Sequence, residues 1–115
     1  VDVIDFLKRF NQDHARVLDV RSPVQAGPFV EKFGARWINI DQGELRTRLA
    51  EVPTDGPLFL VCGSGPRSYE AQLVLRAAGI NADTENIQGG IGMILCSDPG
   101  FAPEGYSSPF SKLGR

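Results

Sequence analysis

The spacing of apolar residues changes several times along the chain, and each change marks an element. Val3, Phe6, Leu7 and Phe10 recur at i, i+3, i+4 and i+7, which predicts an amphipathic helix with Asp2 capping its first turn. Arg16 to Val20 reads as a strand, apolar at Val17, Leu18 and Val20 and interrupted by the charge of Asp19. Ser22, Pro23 and Gln25 match a capping box, so a short helix starts there, and Gly27-Pro28 is expected to stop it. Phe29 to Gly34 is then a packed loop or a helical turn. Arg36 to Ile40 is a second strand, and Asp41 with Glu44 caps a segment carrying Leu45, Leu49 and Val52.

Leu58 to Val61 are four apolar residues in a row, the mark of a strand buried on both faces. Cys62 follows at once, then the turn residues Gly63, Ser64, Gly65 and Pro66, then Arg67 and Ser68 at the start of a helical pattern. Ser68 to Ala78 is predicted as a helix with Ala71, Leu73, Val74, Leu75 and Ala78 toward the core, closed by Gly79. Ile80 to Ile87 reads as a short strand placed near a sheet edge by Asp83 and Glu85. Gly89-Gly90 makes a turn and Ile91 to Cys96 a last helix. This alternation predicts an α/β fold, with a central, mainly parallel sheet covered by helices on both faces. The domain is read as residues 1–96. Residues 97–115 form an irregular tail in which Phe101, Tyr106, Phe110 and Leu113 lie among prolines, glycines and serines. It either packs on its own domain or acts as a linker to another domain or subunit.

Composition narrows the function. A chain of 115 residues with 42% apolar and 23% charged residues fits one globular domain, and no apolar run approaches the ~18 residues of a membrane span. With a net charge of −2 and scattered arginines, nucleic acid is not an expected partner. Cys62 and Cys96 make no disulfide framework, so a reducing, cytoplasmic setting is expected, with Cys96 read as structural. His14 is the only histidine, so there is no Ser-His-Asp set and no ligand pair at metal spacing. Neither metal nor cofactor is called for. The start at Val1 with no leader pattern is read as a processed or excised chain.

What remains is the strand, tight loop and helix around Cys62. Such a junction aims backbone N–H groups and the positive end of a helix at the sulfur. A free cysteine titrates near ~8.5, and a helix N-terminus with an arginine lowers that, so Cys62 is expected to ionise near neutrality and act as a nucleophile. The plain alternative is that a cysteine ending a core strand only packs. The glycines and Arg67 weigh against it. Pro66 removes one N–H from the loop while stiffening it.

Cys62-Gly63-Ser64-Gly65-Pro66-Arg67-Ser68 resembles the active-site loop of the rhodanese-like sulfurtransferases. Leu18-Asp19-Val20-Arg21-Ser22-Pro23 is similar to the family's first signature, and Gly34-Ala35 with Ile38-Asn39-Ile40 to the remains of its second. Glu44-Leu45 through Pro53, Gly79 and Gln88-Gly89-Gly90-Ile91 follow in the family's order. The usual Gly-His-Ile-Pro-Gly-Ala run is absent, and Ile94 stands where the family commonly has Trp. The resemblance implies that Cys62 carries a sulfane sulfur as a persulfide, from a small anionic donor to a thiol or cyanide-like acceptor. Arg67 is then catalytic beside it, Gly63, Ser64, Gly65, Pro66 and Ser68 bind substrate, and Asp19 and Arg21 give support. For Asp19, an exposed sheet edge or a structural hydrogen bond is equally open. The resemblance also implies a fused or partner flavin-dependent disulfide or persulfide reductase. The rivals are a catalytically weak rhodanese-like binding or regulatory module and a cysteine-dependent phosphatase. The latter's loop places five residues between Cys and Arg, where this chain has four.

Overall fold

The structure is a computed structural model that describes residues 1–63, 66–80 and 83–106. Its elements are α1 (Val3–Gln12), β1 (Arg16–Asp19), α2 (Pro23–Phe33), β2 (Trp37–Asn39), β3 (Leu58–Val61), α3 (Pro66–Ala77), β4 (Thr84–Asn86) and α4 (Gly90–Ser97). Among the described residues the four strands form one parallel sheet in the order β2-β1-β3-β4. The fold is the expected α/β arrangement. From β1 the chain steps outward to β2, then crosses back to lay β3 on the other side of β1. The carboxyl ends of β1 and β3 therefore diverge into a crevice, the place where open parallel sheets take ligands.

Side-chain alternation along the strands divides the core into two layers. Val17, Phe59 and Val61 point to one side, where they meet Val3, Phe6 and Phe10 of α1, Phe29 of α2, and Ile91 and Ile94 of α4. Leu18, Leu58, Leu60 and then Cys62 point to the other, against Ala71 and Leu75 of α3 and against Leu45 and Val52. Because β3 is central and covered on both sides, all four of its residues are buried, as the unbroken apolar run predicts. β4 forms an edge of the sheet, where its Glu85 pairs with Arg9.

Three departures have physical reasons. The helix expected to stop at Gly27-Pro28 runs on to Phe33, because continuing it stacks Phe29 and Phe33 on Trp37 with ring centroids 5.2 and 5.3 Å apart. The segment after Asp41 forms 3-10 turns at Gln42–Thr47 and Leu49–Glu51, which still bury Leu45 and Val52. α3 begins at Pro66 and shows the core Ser68, Ala71, Gln72 and Leu75, leaving Leu73 and Ala78 toward solvent.

Beyond α4, Phe101 is buried among Phe6, Phe10, Phe33 and Trp37. The Lys32 ammonium donates to the carbonyls of Gly100, Phe101 and Ala102, tying this segment to α2. Phe110 and Leu113 lie outside the described residues. No helix among the described residues is long and apolar enough to cross a membrane.

Candidate active site

Register places the site. Asp19 of β1 lies opposite Val61 of β3, so the residues just past each strand, Arg21 and Cys62, emerge together at the crevice. A cavity of about 350 Å³ opens there, lined by Arg21, Gln25, Cys62, Gly63, Pro66 and Arg67. Cys62 is only 1% exposed and is not in a disulfide. It belongs to the same apolar cluster as Leu60, Ala71 and Leu75 and also lines the cavity. Pro66 is the first residue of α3, where a missing N–H has no helical partner to lose. Arg67, the next residue, is exposed at the rim.

The backbone beneath the thiol is held from the far side. The N–H groups of Ile91 and Gly92, in the first turn of α4, donate to the carbonyls of Cys62 (2.8 Å) and Gly63 (3.1 Å). With its carbonyls drawn toward α4, the peptide unit after Cys62 is fixed in orientation at the strand's end. Gly90, at φ +60°, is what allows this approach, since a Cβ there would lie 2.8 Å from the Gly63 oxygen.

Arg21 is the second cation of the cleft, 4% exposed and clamped on one edge. Its Nε donates to both Asp19 carboxylate oxygens (3.0 and 3.1 Å) and its Nη2 to Oδ2 (2.7 Å). The Arg21 backbone N–H and the Trp37 indole N–H complete the shell of Asp19 at 3.1 and 2.9 Å. The guanidinium lies over the Phe29 ring at 4.8 Å, and Nη1 donates to the Tyr106 hydroxyl at 3.4 Å. Burial works against its charge, but the hydrogen bonds and the charge of Asp19 outweigh it, so the guanidinium is held above its ordinary value. Asp19 is thus neither at an edge nor in solvent. It is fully buried in a central strand, and what it braces directly is Arg21.

Ser68 is buried on α3 and its hydroxyl donates to Asn86 of β4. Ser64 and Gly65 lie outside the described residues. Cys96 is exposed on α4 rather than packed in the core, which overturns its structural reading. His14 lines a hollow of about 160 Å³ at the opposite, amino end of the strands.

No protein-family model and no curated protein matches the chain. Solved structures do. A rhodanese-related protein from Thermoplasma volcanium superposes with a TM-score of 0.67 at 28% identity, covering 85% of this chain and 91% of that one. This chain is a rhodanese-like domain. Two longer proteins contain a similar unit. Reduced Bacillus anthracis CoADR-RHD is 30% identical at a TM-score of 0.64, and the match covers 84% of this chain and 17% of that one. An NAD-dependent persulfide reductase from A. fulgidus is 32% identical at a TM-score of 0.61, over 79% of this chain and 15% of that one.

Three contributors to this rhodanese-like cleft are hidden in the sequence. Gln25 is legible only as a capping residue, a role it also has, since the Ser22 hydroxyl donates to its Oε1. Gly90 reads as a turn, with nothing to show that the turn abuts Cys62. Tyr106 belongs to a tail with no periodicity to place it.

Proposed function

We propose that this domain is a sulfurtransferase working through a persulfide on Cys62. The observation that carries the reading is the position of Cys62: it ends the central strand at the crevice between β1 and β3, at the floor of a cavity walled by two arginines. In the first half-reaction the thiolate attacks the outer sulfur of a donor such as thiosulfate. A new S–S bond forms, the old one breaks, and sulfite leaves with the bonding pair. In the second, an acceptor thiolate attacks the outer sulfur of the persulfide and returns Cys62 as thiolate. No proton transfer is needed in either step when both attacking thiols are ionised, which suits a cleft with no histidine among its described lining residues.

Arg67 and Arg21 would stabilise the anionic donor and the departing oxyanion, and α3 adds the positive end of its dipole. The name of the A. fulgidus relative, a persulfide reductase, supports persulfides as donors and a reductase as the partner that consumes the sulfur. Wild-type protein treated with thiosulfate should gain one sulfur atom in intact mass and lose it to added cyanide, whereas Cys62→Ser should do neither. Sulfur transfer by Cys62→Ser, or no mass gain in wild type with any of thiosulfate, mercaptopyruvate and glutathione persulfide, would overturn the assignment. Phosphate release from an aryl phosphate would favour a phosphatase instead.

A further inference from the structure

Arg21 is an unusual group for a cleft wall. Its side chain is only 4% exposed, yet its guanidinium is only partly used. Asp19 takes the Nε and one Nη2 proton, and Tyr106 takes one Nη1 proton through a long bond of 3.4 Å. One N–H on each terminal nitrogen has no acceptor among the described residues, and Arg21 lines the same cavity as Cys62. A desolvated donor pair of this kind is costly unless something meets it. Arg67, by contrast, is exposed and loses its strength to solvent and salt.

The arrangement around Arg21 is also rigid. Asp19 is itself fixed by the Trp37 indole, and Phe29 forms a floor beneath the guanidinium. Tyr106 stacks edge-on against that same Phe29 with centroids 5.0 Å apart, so its hydroxyl meets Nη1 from a fixed direction. Tyr106 comes from the segment beyond α4, tied down through Phe101 and Lys32.

We propose that Arg21 is the fixed anion-binding residue of the cleft, recognising the negatively charged group of a small organic or inorganic sulfur compound, and that Tyr106 is a positioning residue acting through it. The proposal rests on reading the cavity that Cys62 lines as the substrate site. It differs from Arg67 as the principal anion contact in that the buried guanidinium supplies orientation and the exposed one attraction.

The test compares alkylation of Cys62 by iodoacetate and by iodoacetamide, in protein carrying Cys96→Ser so that only one cysteine reacts. Both reagents need the same thiolate, so the ratio of their rates cancels the thiol's ionisation and reads only the cleft's preference for a carboxylate. Removing Arg21 alone would strand a buried carboxylate, so the variant is Asp19→Asn with Arg21→Gln, which leaves a neutral pair. Its ratio should fall about tenfold, the size of one charge-assisted hydrogen bond. Tyr106→Phe keeps the ring against Phe29 and should lower the ratio about twofold, an effect that vanishes in the double variant. An unchanged ratio in Tyr106→Phe, or the same drop with and without Arg21, would overturn the positioning role. An unchanged ratio in the double variant would overturn Arg21 as the anion site. Should the double variant not fold, Arg21→Lys, which keeps charge but not the fork, replaces it and should lower the ratio by about half that factor on a logarithmic scale. Alkylation requires no sulfur transfer, so a high ratio in wild type without a persulfide would sink the enzyme reading and leave the anion cleft standing.

Discussion

Asp19 and Gly90 are the two single residues on which the geometry around Cys62 turns, and they differ in how far sequence can reveal them. A carboxylate in an apolar strand announces a special role, but only the sheet order makes Asp19 central, and only Trp37 and Arg21 explain how its charge is tolerated there. Gly90 announces nothing beyond a turn. Its φ of +60° and the carbonyls of Cys62 and Gly63 packed against it leave no room for a methyl group. Gly90→Ala should therefore cost at least about 2 kcal/mol, from left-handed backbone strain and a forced shift of neighbouring backbone. Urea unfolding checks the loss. The same variant should slow Cys62 alkylation by iodoacetamide, because the displaced backbone is the one carrying the thiol.

Among the elements, those with unbroken or strictly periodic patterns are legible in the sequence and those decided by distant partners are not. β3 is legible to the residue because four buried positions in a row admit little else. α1 is legible because its apolar stripe and Asp2 cap agree, the Asp2 carboxylate accepting from the Asp5 N–H at 2.8 Å. α2 reads too short because Gly27 and Pro28 are local breakers, whereas Phe29 and Phe33 find their reward on Trp37, a strand away. The backbone bond that Pro28 cannot make would have gone to Val24, which is 88% exposed and open to water. Gly27 sits inside this helix, where a methyl group would meet nothing within 4 Å beyond its chain neighbours, but the Pro28 ring that follows crowds any Cβ held in a helical backbone. Gly27→Ala should therefore not deliver the ~0.5–1 kcal/mol that this change adds inside an ordinary helix, and the urea midpoint should stay at or below that of wild type at unchanged slope.

For the molecule as a whole, the alternation of elements is enough to give a parallel α/β sheet, but not its strand order, and the order is what brings Arg21 beside Cys62. Charge pairs outside the core make a separate contribution. Glu51 is held below its ordinary value of 4.5 by hydrogen bonds from Arg48, and Asp55 below 3.8 by one from Arg16. A carboxylate depressed in the folded state adds stability that is present above its ordinary value and is lost as pH falls through the folded one. Both groups are fully exposed, so that acid-side loss should be small and should flatten further in concentrated salt, which thermal melts between about pH 5 and pH 2.5 at low and high sodium chloride would show.

The support that α4 gives to the Cys62 and Gly63 carbonyls sets a condition on engineering. Grafting residues 62–67 onto another parallel sheet would transfer the thiol and the arginine but leave two carbonyls without their donors. A transplant that carries residues 89–92 as well would keep the sulfur's foundation, and the portable unit is therefore two chain segments rather than one.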